Sequence, residues 1–259
     1  MKLVGMLDSP FVRRLAITMR MLGIEHEHHS QSVVAGYETF KTINPLAKAP
    51  TLMLDDGEMM IESSLIISHV EALAGRSLMP DGIDAQRRAL QIIGVALLSM
   101  DKVVAHIYET EMRPEEFQYG PWLDRVHEQI RTSFAWLEQA VVAIDDGPWL
   151  FGKTMTQADI TTAVAWRFAQ LRTPALARDD AFPALAVFSA RADLLVHTIQ
   201  PWPVLVVGWP HLCLVDVGHN LVHGQKCNAD DLQRSPLRID PVGHQRAAGK
   251  RLDMADNQR

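Results

Sequence analysis

"KLVGMLDSPFVRRLAITMRMLG", residues 2–23, joins an apolar run to a helical pattern through a serine and a proline. Residues 2–7 predict a buried strand, because a short apolar run bounded by turn signals is typical of one. Ser9 is a preferred helix N-cap, and Pro10 suits the first helical position, where its missing N–H has no partner to lose. Gly23 predicts the end of the helix. The stretch therefore predicts strand, turn and helix, with Ser9 either a cap or a functional hydroxyl at the junction.

The next fifty residues continue this alternation. The pattern predicts strands at 24–34, 51–54 and 58–61, a short helix at 37–43, and a helix from 63 that stops at Gly75. Asp56-Gly57 is a strong turn signal, so the last two strands form a hairpin. The predicted order is βαβ followed by ββα, which builds a small mixed sheet with helices packed on it.

The rest of the chain changes character. Helical patterns without strand signals between them occupy 86–112, 122–144, 157–172 and 183–196. The predicted fold class is therefore α/β plus all-α. The predicted organisation is a first domain at 1–78, a linker at 79–85, an all-helical domain at 86–196, and an irregular, poorly ordered tail at 197–259.

Composition excludes several classes of function. The chain has 47% hydrophobic and 22% charged residues, which is ordinary for a soluble globular protein. A net charge of −6 gives no basic footprint for nucleic acid. Two cysteines make no disulfide framework, so a cytoplasmic protein is expected. No stretch is expected to approach the length and hydrophobicity of a membrane-spanning helix, because Pro, Gly or charge cuts the apolar runs.

The stretch "TMTQADI", residues 154–160, carries a structural motif. Thr156 followed three residues later by Asp159 is a variant of the capping box, in which each side chain bonds the other's backbone. Met155 lies before the cap and is placed to pack against Ile160. We interpret Asp159 as a determinant of the fold rather than as a catalytic base.

Two groups of possible metal ligands occur, and neither has convincing spacing. The first is His26, His28 and His29, and the second is Cys213, His219, His223 and Cys227. The first group alternates along a predicted strand, and the second has neither a Cys-x-x-Cys pair nor a clear helix around it. No metal site is predicted.

Four stretches together resemble the cytosolic glutathione transferase superfamily, in its serine-type, bacterial-like form. They are "SPFVRR" (9–14), "NPLAKAPTL" (44–52), "IESSLIISHVE" (61–71) and "GPWLFGKTMTQADITTAVAW" (147–166). They occur in the family's order and at its spacing, and they span most of residues 1–195. The resemblance implies an N-terminal thioredoxin-like domain that binds glutathione, an all-helical domain, and a homodimer.

The resemblance assigns glutathione-binding roles to two segments. It implies a cis bond between Ala49 and Pro50 that turns the Ala49 peptide toward the ligand, although Pro50 also shapes the turn. Lys48 matches a basic residue near the glycyl carboxylate, or is simply a solvated loop lysine. Ser63 matches the residue that binds the γ-glutamyl carboxylate at a helix N-terminus, and Glu62 an acidic residue facing the amine. The alternative for Ser63 is a plain N-cap.

The resemblance places the glutathione sulfur at Ser9. A hydroxyl donor and a helix N-terminus both favour a thiolate, and a shift of roughly 2 pKa units costs only ~3 kcal/mol. The alternative is a helix cap worth ~1 kcal/mol. Phe11 is expected to shape the site. Because no cysteine stands at position 9 and no Cys-x-x-Cys follows, dithiol redox chemistry is not expected.

The electrophile is expected between the domains, against the first helix of the second domain. Four residues recur there at helical spacing and line either a pocket or the core: Met100, Val104, Tyr108 and Met112.

The predicted function is a cytoplasmic glutathione transferase of the detoxification type. It uses glutathione as co-substrate and needs no metal, because the thiolate is the nucleophile. A glutathione-dependent isomerase or dehalogenase, and a non-catalytic glutathione-binding module, are the alternatives. No membrane or nucleic-acid partner is expected.

Overall fold

The structure is a computed structural model, and it describes residues 1–199, 204–206 and 213–215. The chain divides into two compact units, Met1–Trp202 and Pro203–Arg259. In the second unit, the strands Val204–Val206 and Cys213–Val215 pair antiparallel. The remainder of the predicted tail, with His219, His223, Cys227 and the side chain of Cys213, lies outside the described residues.

The first half of unit one is a four-stranded mixed sheet with helices. Its elements are β1 (Lys2–Val4), α1 (Pro10–Leu22), β2 (Glu27–His29), α2 (Tyr37–Ile43), β3 (Thr51–Met53), β4 (Met59–Ile61) and α3 (Ser63–Ala74). The strand order is β2-β1-β3-β4; β1 and β2 are parallel, whereas the other neighbours are antiparallel. This confirms the predicted βαβ-ββα order and the thioredoxin-like fold class.

The second half is helical, as predicted. Its helices are α4 (Ile83–Ile107), α5 (Gly120–Val142), α6 (Gln157–Arg172) and α7 (Pro183–Ile199). A π-helical turn, Tyr108–Met112, continues α4, and a 3-10 turn follows at Glu115–Phe117. The helix α4 begins inside the stretch predicted as linker, and α7 runs past residue 196. Termini of this kind depend on backbone hydrogen bonds that side-chain patterns do not report.

Local sequence explains how α1 is bounded. Pro10 occupies its first turn, and Gly23 ends it in the left-handed conformation at φ 75°. There the Gly23 N–H donates to the carbonyls of Met19 and Arg20, satisfying two groups that the helix leaves free. The apolar faces of α1 are buried, and the helix packs against α3, α6 and α7. The helix therefore fixes the position of Ser9 relative to both halves of the unit.

Hydrogen bonds join the two halves at the start of α6. The Thr18 hydroxyl of α1 donates to Gln157 Oε1 at 2.8 Å, and the Gln157 N–H donates to the Leu78 carbonyl at 2.8 Å. All three groups are buried. Because a buried polar group left without a partner costs about 1–3 kcal/mol, these bonds fix how the halves meet.

The predicted capping box is present at the N-terminus of α6. Asp159 is fully buried and accepts hydrogen bonds from the Thr156 N–H at 2.7 Å, the Thr156 hydroxyl at 2.6 Å and the Leu150 N–H at 2.8 Å. The carboxylate therefore closes the helix end and also fixes the preceding turn. This agrees with its interpretation as a fold determinant.

One expectation about hydrophobic length is wrong. The continuous helix Ile83–Met112 is long and apolar enough to cross a membrane by length and composition alone. A core helix passes the same test, and α4 packs against α5 and α6 through residues such as Ala96, Met100 and Val103, which are fully buried. Among the described elements, α5 and α6 are the main packing partners of α4.

Candidate glutathione site

Strand register brings distant segments to one edge of the sheet. Val4 of β1 pairs with Thr51 of β3, and Thr51 pairs with Ile61 of β4, so these residues form one row across the sheet. The segments that follow Val4, precede Thr51 and follow Ile61 therefore all emerge at the same edge. They contain the predicted residues Ser9, Lys48, Ala49, Pro50, Glu62 and Ser63.

Ser9 stands at the N-cap position of α1 without acting as a side-chain cap. Its backbone is extended, its carbonyl accepts from the Arg13 N–H at 2.9 Å, and its side chain makes no cap hydrogen bond. The residue is partly exposed. Its hydroxyl is therefore available to a ligand at the N-terminus of α1, where the helix dipole favours negative charge.

The segment before β3 presents an open peptide. The Ala49–Pro50 bond is cis, as the resemblance implied. No hydrogen bond of the Ala49 N–H or carbonyl is found within the described part of the chain. This leaves the Ala49 peptide able to pair with an extended ligand, in the manner of strand addition. Lys48 is exposed beside it.

A buried asparagine, which the sequence reasoning missed, holds this segment. Asn44 Nδ2 donates to the Lys48 carbonyl at 3.2 Å and to Thr51 Oγ1 at 2.8 Å, and its Oδ1 accepts from the Leu46 N–H at 2.9 Å. Ala47, inside the loop, has φ 46°. An Asn-Pro pair is a recognised turn signal, so Asn44-Pro45 could have indicated this role.

Glu62 and Ser63 form the junction between β4 and α3. Glu62 caps α3 with φ 72°, a conformation rare outside glycine, and its Oε2 accepts from the Ser64 N–H at 3.2 Å. Such backbone strain costs about 1–3 kcal/mol and clusters at ligand sites. Ser63 is almost fully buried, whereas Glu62 is exposed. A helix N-terminus with a hydroxyl and an exposed carboxylate suits a zwitterionic ligand end.

Two buried arginines on α1, also missed by the sequence reasoning, lie beneath this edge. Arg13 Nε donates to the Leu7 carbonyl at 3.0 Å, and burial lowers the pKa of Arg13 to about 9. Burial likewise lowers the pKa of Arg14 to about 10. Both values stay above neutral, so both guanidinium groups remain charged near pH 7. Burial raises the pKa of Asp8, beside Ser9, against the opposing effects of the Ser9 N–H and of nearby arginines.

An apolar pocket of about 280 Å³ lies beside the sheet edge. Its lining residues come from both halves of the unit: Val33, Val34, Tyr37, Ala47, Tyr108 and Met112. Tyr108 and Met112 were predicted for such a pocket. Val104 is not among the lining residues and packs half-buried against the core, and Met100 is fully buried in the core. Phe11 is also partly buried against the core.

A larger, open hollow of about 420 Å³ lies where the π-helical turn meets the start of α5. Glu109, Arg113, Tyr119 and Trp122 are among the residues lining it. None of the segments at the sheet edge contributes to it. Its lining is therefore separate from the predicted ligand-binding residues.

Histidines do not gather into a metal centre within the described ranges. No group of three or more His, Cys, Asp or Glu side chains there could hold a metal ion. His26 Nδ1 lies 3.1 Å from the Ile24 carbonyl, and His28 Nε2 lies 2.8 Å from the Gly5 carbonyl. These two rings bond the backbone near β1 and β2.

The sequence matches two family models that cover more than half of the chain. Residues 3–78 match "Glutathione S-transferase, N-terminal domain", and residues 120–191 match "Glutathione S-transferase, C-terminal domain". A protein of Escherichia coli K12, described as the uncharacterized GST-like protein YibF, is 31% identical over 173 residues. That alignment covers 66% of this chain and 83% of the relative.

Solved structures share the fold over nearly their whole length. A glutathione S-transferase from Methylobacterium radiotolerans, in complex with glutathione sulfonate, superposes with a TM-score of 0.70 at 25% identity. The superposition covers 80% of this chain and 97% of the Methylobacterium radiotolerans chain. A maleylacetoacetate isomerase from Methylobacterium extorquens, with bound malonate and GSH, has a TM-score of 0.60 at 22% identity and covers 78% and 96%. Because the isomerase is only 22% identical to this chain, its similarity is evidence for the fold alone.

Proposed function

Because the chain belongs to the glutathione S-transferase family, we propose that it is a glutathione transferase. It binds glutathione along the sheet edge and adds the thiolate to a small electrophile. The observation that carries this proposal is the Ser9 hydroxyl, which stands at a helix N-terminus and makes no cap hydrogen bond. A plain structural cap would use that hydroxyl to bind the helix.

Each end of the tripeptide has a matching segment. The open Ala49 peptide, turned by Pro50, pairs with the ligand backbone, and the exposed Lys48 suits the glycyl carboxylate. Ser63 at the start of α3 receives the γ-glutamyl carboxylate, and Glu62 faces the amine. These groups orient the ligand so that its sulfur reaches Ser9.

The thiolate is the chemical centre of the mechanism. A free thiol has a pKa of about 8.5, so little of it is ionised at neutral pH. The Ser9 hydroxyl donates a hydrogen bond to the sulfur, and the N-terminus of α1 adds a favourable dipole. Together these effects favour the thiolate, which attacks the electrophile without metal activation.

The apolar pocket beside the edge is the proposed electrophile site. Tyr108 and Met112 reach it from the second half of the unit, opposite Val34 and Tyr37 from the first half. Phe11 shapes the approach from α1. The pocket favours a small, largely apolar electrophile. Following the resemblance, we also expect a cytoplasmic homodimer with a role in detoxification.

The test is glutathione binding by calorimetry together with thiolate absorbance, for wild type, Ser9→Ala and the exposed control Ser30→Ala. Measurements at about pH 6.5 and about pH 8 lie below the ordinary thiol pKa. We expect wild type and Ser30→Ala to bind and to show thiolate at the lower pH. Ser9→Ala should still bind but lose the thiolate signal. Its kcat/KM with an activated aryl halide should fall about 10- to 100-fold, as for loss of a hydrogen bond to a charged group.

Other outcomes decide between the functions. If wild type does not bind glutathione, the transferase proposal is wrong for this chain. Binding without turnover of any activated halide supports a glutathione-binding module instead. Equal thiolate absorbance in wild type and Ser9→Ala would assign the activation to another group.

A further inference from the structure

The π-helical turn Tyr108–Met112 provides the wall of the apolar pocket that comes from the second half of the unit. Its defining hydrogen bond runs from the Arg113 N–H to the Tyr108 carbonyl at 3.0 Å. Turns of this kind are rare and occur frequently at functional sites. Tyr108 and Met112, at the two ends of the turn, both line the pocket. The position of the turn therefore determines the shape of the pocket.

Two glutamates attach this turn to neighbouring helices. Glu109 is 5% exposed and accepts from the Tyr119 N–H, at the start of α5, at 2.7 Å. Glu111 Oε2 accepts from Arg172 Nη2, at the end of α6, at 2.5 Å. The turn is therefore fixed to α5 by one glutamate and to α6 by the other.

The attachment to α6 links the pocket to the corner that carries Ser9. Thr18, late in α1, bonds Gln157, the first residue of α6. Burial raises the pKa of Asp8, which precedes Ser9, and the positive charge of Arg172, the last residue of α6, opposes that rise. The end of α6 therefore lies beside the start of α1, and Arg172 lies between that corner and the π-helical turn.

The ion pair between Arg172 and Glu111 is partly shielded from water. The two side chains are 19% and 44% exposed, and partly buried pairs are screened less than exposed ones. Arg178 and Asp180 form a contrasting pair, 62% and 67% exposed, within the loop after α6. Exposed pairs of that kind contribute little. The pair at Glu111 is therefore the one able to hold one element against another.

We propose that Arg172 is a positioning residue for the electrophile: it holds Glu111, and with it the π-helical turn, in place opposite Ser9. This inference rests on the proposed function, because it takes the apolar pocket as the electrophile site. The pocket lining does not include Arg172, which acts through Glu111. Its loss should therefore weaken binding of the electrophile and leave binding of glutathione unchanged.

The test compares glutathione with S-benzylglutathione, whose benzyl group occupies the pocket without reacting. Binding is measured by calorimetry for wild type, Arg172→Met, Arg172→Lys and the control Arg178→Met. We expect wild type and Arg178→Met to bind the benzyl conjugate at least about tenfold more tightly than glutathione. Arg172→Met should lose most of that gain. Arg172→Lys should keep part of it, because lysine supplies the same charge without the planar guanidinium. Glutathione affinity should stay within about twofold in all four proteins.

Steady-state kinetics separate positioning from a general loss of structure. With chlorodinitrobenzene as the electrophile, Arg172→Met should raise the KM for the halide about three- to tenfold and leave the KM for glutathione unchanged. A loosened fold would raise both values.

Glu111→Met supplies a second route to the same contact if Arg172→Met does not fold. It should lose the benzyl gain to a similar extent, and the double variant should lose no more than either single variant, because both changes break one interaction.

Three outcomes would overturn the inference and leave the proposed function intact. They are an Arg172→Met variant that keeps the full gain, losses from the two single variants that add, and a wild type that binds glutathione but gains nothing from the benzyl group. An equal loss of affinity for both ligands in Arg172→Met would also overturn it. A wild type that binds neither ligand would overturn both the inference and the proposed function.

Discussion

Two histidines on neighbouring helices share one hydrogen bond. His127 Nε2 lies 3.0 Å from His106 Nδ1, and the ring centroids are 5.0 Å apart. Only one of these two nitrogens can carry the shared proton, so protonation of both rings breaks the bond. Burial lowers the pKa of both imidazoles, and the neighbouring His127 lowers the pKa of His106 further.

We therefore predict that the chain loses stability as the pH falls from about 7 to about 5. The unfolded chain takes up protons on these histidines near their ordinary pKa of about 6.5, whereas the folded chain resists until a lower pH. The unfolded state thus binds more protons in this window, and the free energy of unfolding decreases as the pH falls. In His127→Asn the decrease should be smaller.

Urea unfolding midpoints at both ends of the window measure this. His69→Asn, on α3, is the matched control and should follow the wild type. Two nearby carboxylates act against burial. Glu111 raises the pKa of His106, and Asp124 raises the pKa of His127. A His127→Asn variant as pH-sensitive as wild type would contradict the prediction.

Single residues show where sequence reasoning works and where it stops. Ser9 was placed correctly at a helix start, because the Ser-Pro pair is a local signal. Whether its hydroxyl caps the helix was left open, since both uses fit the same residue. The burial of Arg14 was missed, because a charged residue on a helix normally faces solvent and its partners lie 49 and 50 positions away.

Elements were predicted well where local chemistry defines their ends. The sequence predicted that α1 ends at Gly23, and it does. It also predicted a turn at Asp56-Gly57, and this turn joins β3 to β4. The second strand was predicted at 24–34 but spans only Glu27–His29, because it pairs with β1, which is itself three residues long. A strand's length depends on its partner, and that information lies elsewhere in the chain.

The start of α6 gives an element-scale prediction. Asp159→Asn replaces a carboxylate that accepts three hydrogen bonds with a group that has one acceptor oxygen and an N–H₂ facing other donors. We expect the free energy of unfolding to fall by about 1–3 kcal/mol. Glutathione affinity should be unchanged, because Asp159 holds α6 and not the ligand. Chemical unfolding and calorimetric binding measure the two quantities.

Asp145→Asn is the matched control, since Asp145 is exposed in the loop after α5. It removes the same charge without removing buried hydrogen bonds, so its unfolding curve should match the wild type. If the Asp159→Asn and Asp145→Asn variants were equally stable, the capping box would not stabilise this fold as inferred.

At the scale of the whole molecule, one side of α4 carries a row of exposed apolar side chains that no other described residue buries. Ile83, Leu90 and Leu98 are 84%, 62% and 43% exposed, and their spacing, with the exposed Gly94 between them, places them on one helix side. Leu65 on α3 is also 63% exposed. Exposed apolar patches of this kind mark interaction surfaces. They fit the proposed homodimer, whose two-fold interface would use the same patch from both chains.

A charged substitution tests this. With Leu90→Glu and Leu98→Glu combined, association would bury like carboxylates against each other, so the dimer should dissociate. By light scattering, wild type should have twice the chain mass of 29.0 kDa and the variant the single mass. Val187→Glu, on α7 and 61% exposed, is the control and should remain dimeric. Every segment of the proposed glutathione site comes from one chain, so the monomeric variant should bind glutathione within about threefold of wild type. A wild type of single-chain mass, or a double variant that still dimerises, would contradict the α4 interface.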